Sequence, residues 1–475
     1  MNARDIQVPT SRGAVVVSYG VGALVVLALA SFLLNIPIQV SDSFGNMLKL
    51  TVPWRDMVVN EFTQRAYLRP MLWLELKAVH RLSGGDYYAW FRGTHVVQVL
   101  VLVGLYLHLV RPRTWGDAAL VPLGLAVLVG HHTFAGTVNE AFPINTFMTV
   151  LICCYAAAAL SLGEHRRWHD PLAVVLFWVA ALTVENGLLV WVIVVGGSLV
   201  GARGVSKGGL VALGASLAAY FALRFLILDV GAPALSERAS GYGFSVLEPV
   251  ELVARFGERP WPFYLYNIAT SFMSVLVGEP RAGLFRFTQG LTLGWPYPAI
   301  AMAVIASTAA TLLLGVFLWR RRTVWRKGEF TRDDRLVLLF LMVLVANAVL
   351  SYPYTKDVIM SPAGAFFALA VFAAARSVVP LAESPARLGA ALLLALCAVL
   401  SMTWSVRLLS VHVELWVAAR TVRDHWAYVH DWVQLQRIDV SGAAAAELLD
   451  TLRHDALVVR PPEGELDWAK RSLFY

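Results

Sequence analysis

Asp42 in VSDSFGN, Asn139 and Glu140 in HHTFAGTVNEAFPIN, Glu185 and Asn186 in LTVENGLLVW, and Lys356 with Asp357 in YPYTKDVIM share one setting. Each lies where a long apolar run ends. Ionisable groups so close to hydrocarbon are expensive, which makes each a candidate for function. A carboxylate at Asp42 has the reach to act as general base on an acceptor hydroxyl, which needs one oxygen beside a bound electrophile; the alternative is a solvated loop aspartate. Glu185 has almost wholly apolar neighbours, so it serves either a structural ion pair or a catalytic pocket. Arg69, Arg259, Arg281 and Lys356 are cations of the kind that stabilise a departing phosphate, or that simply bind lipid headgroups. Asp357 is placed to pair with Lys356.

His131 and His132 precede Asn139 and are candidates for contact with a phosphate or a sugar, or for local hydrogen bonding. Adjacent residues of a helix point in different directions, so the two histidines make a poor chelating pair. Signatures of soluble enzymes are missing from the sequence: there is no Walker loop, no HExxH helix and no GxSxG elbow.

The elements that must position these residues are membrane helices. The chain has 475 residues, of which 58% are hydrophobic and 15% charged, against about 25% charged in a water-soluble domain. Apolar runs predict about eleven helices, near 14–36, 88–110, 117–133, 143–162, 171–185, 187–202, 209–229, 297–319, 336–351, 361–378 and 388–409. The fifth and sixth are short enough to be broken helices. Alternate connections carry the base: Arg4 and Arg12, Arg111 and Arg113, Arg166 and Arg167, Arg203 and Lys207, Arg320 to Arg335, then Arg376 and Arg387. The positive-inside rule puts that set in the cytoplasm.

The opposite face then carries two long loops, 37–87 and 230–296, and a C-terminal segment, 410–475, read as a small cap beyond a transmembrane domain of 1–409. Within the first loop, Leu72, Leu76 and Val79 recur on one side of a helix, with Glu75, Lys77 and Arg81 elsewhere, which suits a helix lying at the membrane surface. The second loop is rich in aromatics, as headgroup-level segments are. The formal charge of +7 is scattered in short clusters between apolar runs, which excludes a continuous nucleic-acid face. Cys153, Cys154 and Cys397 all lie in apolar segments and read as reduced filler.

Taken in order, YLRPMLWLELKAVHRLSGGDYYAW at 67–90, HHTFAGTVNEAFPIN at 131–145, LTVENGLLVWVIV at 182–194 and YTKDVIMSPAGAFFALA at 354–370, with Asp42 before them, resemble the GT-C superfamily of integral-membrane glycosyltransferases. The likeness is to its protein mannosyltransferase-like and tetratricopeptide-bearing branch, and it covers roughly residues 40–370. Val184 stands where that branch has a lysine, the late basic residue Lys356 is displaced by one position, and the first loop offers Asp42 with only Asp56 and Glu61 further on. The resemblance implies an all-α GT-C-like bundle and inverting transfer from a polyprenyl-phosphate-linked sugar to a glycan, lipid or protein acceptor at the outer face. It assigns Asp42 to the acceptor and Arg69 and Lys356 to the donor phosphate, for which Arg259 of the aromatic loop is a further candidate by its position. Glu140, Glu185, Asn139, His132 and Asp357 shape the pocket. No cofactor is implied with certainty; a divalent metal is an option the family leaves open, although nothing in the sequence supplies a chelating set.

The alternative is a multi-pass transporter or lipid-linked glycan flippase. Transporters usually carry internal repeats and charges near the midplane, whereas here no repeat is visible and the suspicious groups gather at one face. Abundant Ala, Val, Leu and Arg point to a high-GC bacterial source, hence to a plasma membrane with the site facing outward.

Overall fold

Without water to bond to, a chain in hydrocarbon must satisfy every backbone N–H and C=O internally, so apolar runs of this length become helices. The computed structural model describes residues 10–40, 42–63, 68–84, 87–139, 146–228, 239–241, 247–278, 284–294, 298–377, 387–435, 438 and 440–458. Its helices are α1 (Arg12–Leu33), α2 (Asp42–Leu48), α3 (Trp54–Thr63), α4 (Pro70–Ser83), α5 (Tyr87–Val110), α6 (Trp115–Gly130), α7 (His132–Asn139), α8 (Thr146–Leu162), α9 (His169–Ala181) and α10 (Leu189–Leu199). There follow α11 (Lys207–Phe221), α12 (Pro249–Phe256), α13 (Trp261–Val277), α14 (Leu284–Leu293), α15 (Pro298–Trp325), α16 (Arg332–Leu350), α17 (Ser361–Arg376), α18 (Arg387–Ala427), α19 (Val429–Gln434) and α20 (Ala443–Val458).

The protein is all-α and polytopic. Among the described residues six helices are long and apolar enough to cross a membrane, or seven if α6 and α7, bent by 64° at one residue, make one broken span. Helix occupies most of each of the eleven stretches expected from the sequence, but α9, at 13 residues, rises only about 20 Å. Several crossings, rather than eleven, are what length and apolarity establish. Val16, Leu24, Leu27, Leu226 and Leu312 are exposed, on helices whose outer surface belongs to lipid.

At the centre stands α17, with Pro362 to Ala375 all buried. A helix apolar all round belongs inside a bundle, and its alanines let α16, α6, α15, α8 and α5 approach closely. Arginines tie one end of the bundle together. Arg332 donates to the carbonyls of Leu109 and Leu162, and Arg376 to that of Val110, so the orphan C-terminal carbonyls of α5 and α8 find cations. Arg376 also pairs with Asp333, and Arg321 pairs with Asp334 at 2.6 Å.

Two expectations change. The region 230–296 is not simply a surface loop. Its α13 enters the bundle, where the Leu276 carbonyl accepts from Thr311 Oγ1 at 2.5 Å, about 20 Å along α15 from its start at Pro298. The boundary at 410 falls inside α18, which runs unbroken to Ala427 and packs on α20. Together with α2 and α4, these helices enclose a second apolar cluster around Phe44, Trp73, Leu76 and Trp426, at the end away from the arginines. As expected, Leu72, Leu76 and Val79 of α4 belong to it. Lys77, off that face, is buried as well and donates to the Val52 carbonyl.

Candidate functional site

Glu185 is the hub. After α9 the chain turns through Val184, which is fully extended, into a 3₁₀ turn at Glu185–Leu188. Gly187 permits that turn, because a Cβ there would sit 2.0 Å from the carbonyl carbon of Ala180. Arg69 arrives from the other side. It precedes Pro70, which keeps it out of the helical region, and the Met71 N–H donates to the Leu182 carbonyl at 3.2 Å. Arg69 Nη2 then donates to Glu185 Oε2 at 2.7 Å.

The other carboxylate oxygen faces Arg224, whose Nη1 and Nη2 lie 3.4 and 3.5 Å from Glu185 Oε1. Arg224 belongs to a π-helical turn, Ala222–Ile227, that extends α11; such turns recur at functional sites. Nη1 also donates to the Tyr220 hydroxyl at 2.8 Å. With 4% of its side chain exposed against 33% for Arg69, Arg224 is locked in place. Arg69 retains access to solvent.

The turn at Glu185 is joined to the late polar segment by its next residue. Asn186 Nδ2 donates to the Ile359 carbonyl at 2.5 Å, and Asn347 Nδ2 donates to the same carbonyl at 3.0 Å. Ile359 lies in the 3₁₀ turn Asp357–Met360 that precedes α17. The Asp357 side chain reaches to 3.8 Å from His132 Nε2, and a Cβ on Gly136 of α7 would touch Val358 at 3.5 Å. Four sequence stretches, near residues 69, 132, 185 and 357, therefore meet at the end of the bundle opposite the arginine-rich end.

Other expected residues fall differently. Asp357, expected to meet Lys356, faces His132 instead. Lys356 is extended at the mouth of the 3₁₀ turn, so successive side chains diverge; its exposed ammonium lies over the Tyr354 ring at 5.6 Å. Arg259 is exposed between α12 and α13, and no contact among the described residues joins it to the cluster. The side chains of Asp42 and Asn139, and all of Glu140 and Arg281, lie outside the described residues. The backbone of Asp42 opens α2.

Arg224 and Arg407 are not among the residues singled out from the sequence. Both are buried within predicted spans, and a charge inside an apolar run was the signal that would have found them. Arg407 donates to Ser307 Oγ at 2.7 Å and lies 4.1 Å over the Trp404 ring, with Trp404 stacked on His131. Among the described residues no group of three or more His, Cys, Asp or Glu is placed to hold a metal.

Comparisons with protein-family models, curated proteins and solved structures return no match. The chemistry must be read from the arrangement itself. Two arginines share one carboxylate, and the Lys356 ammonium is exposed at the same end, where it can meet an anion.

Glu75, in α4 outside the spans, adds a titratable group. Thr149 Oγ1 donates to it at 3.4 Å and receives a hydrogen bond from Gln98 at 3.0 Å. Burial pushes its carboxyl up to about 7, outweighing the opposing hydrogen bond from Thr149. The folded protein therefore keeps this proton after the unfolded chain, near the ordinary value of 4.5, has released it. Stability should fall as pH rises from about 4.5 to about 7 and then level off. In Glu75→Gln that part of the slope should vanish from thermal unfolding curves compared across this range; an identical slope in variant and parent would mean the carboxyl is not held neutral.

Proposed function

We propose that this protein is a membrane glycosyltransferase that moves a sugar from a polyprenyl-phosphate-linked donor to an acceptor hydroxyl on a glycan, lipid or protein. The reaction takes place at the membrane face opposite the arginine-rich end. The observation that carries the reading is the convergence of the stretches bearing Arg69, Glu185, Asp357 and His132 at one end of the bundle, joined through Asn186 and the Ile359 carbonyl, with the Lys356 ammonium exposed there. α2, which Asp42 opens, packs through Phe44 and Met47 into the same apolar cluster as Trp73 and Leu76 of α4. The candidate base is thus carried in the layer that carries Arg69.

In this mechanism the acceptor oxygen attacks the anomeric carbon, the bond from that carbon to the phosphate oxygen breaks, and configuration inverts. The acceptor proton passes to the Asp42 carboxylate. Arg69 and Lys356 hold the phosphate as negative charge develops on it, and Glu185 orients Arg69. His132 and Asp357 line the cleft, and the family resemblance adds Asn139 and Glu140 to them. Purified protein supplied with a labelled polyprenyl-phosphate sugar tests the phosphate contact. Lys356→Ala should raise the donor KM about tenfold, the worth of one charge-assisted bond, and leave kcat within a few-fold. An unchanged KM removes Lys356 from the donor site.

A second reading, a flippase for lipid-linked glycans, draws on the 64° break between α6 and α7 and on Arg407 buried within a span, since transporters use broken helices and intramembrane charge. Transfer in detergent solution, where no sealed compartment exists, separates the two.

A further inference from the structure

The arginine-rich end of the bundle holds a cavity of about 1030 Å³, far from the cluster at Glu185. Arg111, Arg166, Arg203 and Arg335 line it against a single carboxylate, Glu164. Its inner wall is apolar, formed by Leu105 of α5, Ala156 and Leu160 of α8 and Leu172 of α9. These residues lie up to about two turns inside their helices, so the cavity passes from a basic rim toward hydrocarbon.

The rim is rigidly built. The connection between α10 and α11 is fastened by hydrogen bonds to the Gly204 carbonyl from His169 at 2.8 Å, and from the Gly204 N–H to the Ser161 carbonyl at 3.0 Å. A Cβ on Gly204 would overlap the Leu160 carbonyl oxygen at 1.8 Å, so only glycine allows this approach, which sets Arg203 at the mouth. Arg335 Nε donates to the Val200 carbonyl. The side chains of Arg166 and Arg203 are exposed and make no hydrogen bond or ion pair among the described residues.

Arg111 supplies an independent observation. It is the one non-glycine residue with positive φ, +48°, among the described residues. It follows α5, at the position where helices favour glycine. A side chain kept there against backbone preference points to a use for the side chain, and this one lines the cavity.

We infer that this cavity binds a phosphate-bearing anionic amphiphile, its phosphate among Arg111, Arg166, Arg203 and Arg335 and its chain along the apolar wall. The site is separate from the one proposed for sugar transfer and does not depend on it. Four guanidinium groups favour phosphate over zwitterionic headgroups because each offers paired donors to phosphate oxygens. Zwitterionic headgroups would carry their own ammonium into the arginines.

The test is binding of phosphatidic acid and of phosphatidylcholine to purified protein in detergent, read by native mass spectrometry and by thermal shift. Phosphatidic acid should bind at least tenfold more tightly. Arg111→Gly should weaken it about tenfold while the fold is kept or stabilised, since glycine accepts the left-handed conformation without strain. A pair of substitutions outside the cavity lining, Arg113→Ala with Arg167→Ala, should leave binding unchanged. Inorganic pyrophosphate should compete only at far higher concentration. Competition at equal concentration would support the phosphate site but assign it to a soluble ligand. Equal affinity for the two lipids, unchanged binding in Arg111→Gly, or an equal loss in the control pair would overturn the proposal, the last by reducing it to diffuse surface charge.

Discussion

Replacing Asp42 with asparagine is expected to slow sugar transfer by about 10²- to 10⁴-fold, the range over which a positioned general base contributes. Asparagine has nearly the same shape as aspartate, so α2 should form as before. Its amide cannot take the acceptor proton. The comparison needs turnover of the purified variant beside its thermal unfolding curve, because only a slow enzyme with a parental melting profile assigns the loss to chemistry. Transfer at the parental rate would leave the proposed displacement without its base. A rate loss accompanied by unfolding would place Asp42 among the structural residues instead.

The second large effect concerns Glu185. Arg224 is almost wholly buried and its charge is offset by Glu185, which is itself 28% exposed. Removing one member of a buried pair costs about 3–5 kcal/mol because the other charge is left uncompensated. With Glu185 partly wetted, the lower end of about 3 kcal/mol applies to Glu185→Gln. Donor use should fall as well, since Arg69 loses the carboxylate that orients it. Adding Arg224→Met should restore most of the stability without restoring donor use, for then no unpaired charge is buried. Denaturant midpoints of the three proteins decide the matter. If Glu185→Gln is as stable as the parent, Arg224 is neutralised by something other than Glu185, and the proposed hub does not exist.

Much of the scaffold could be read from local pattern. The alternation of apolar stretches with arginine clusters anticipated the end of the bundle at which Arg332 and Arg376 cap neighbouring helices. The periodicity of Leu72, Leu76 and Val79 likewise anticipated the face α4 buries. The same local reading made region 230–296 a surface loop. It missed that α13 penetrates the bundle, because the aromatics of Trp261 and Tyr264 mark headgroup level while its deep end is decided by contacts with Thr311 and His131.

The candidate site divides in the same way. Glu185, His132 and Asp357 stood out as polar groups at the ends of apolar runs, where the cost of burying charge singles them out one at a time. Their partners did not. Lys356 and Asp357 are adjacent in the chain yet face different surroundings, and Arg224 answers Glu185 from a π-helical turn.

The amino-acid sequence by itself determined that this is a membrane protein of packed helices, with base concentrated at one end and polar groups at the other, because hydropathy and charge act over a few turns of helix. Only the tertiary structure decided that residues near 69, 185 and 224 share one ion-pair cluster and that Asp357 turns to His132. Which charges meet is set by how helices distant in sequence pack against α17 and its neighbours, a contact energy that no local stretch of chain contains.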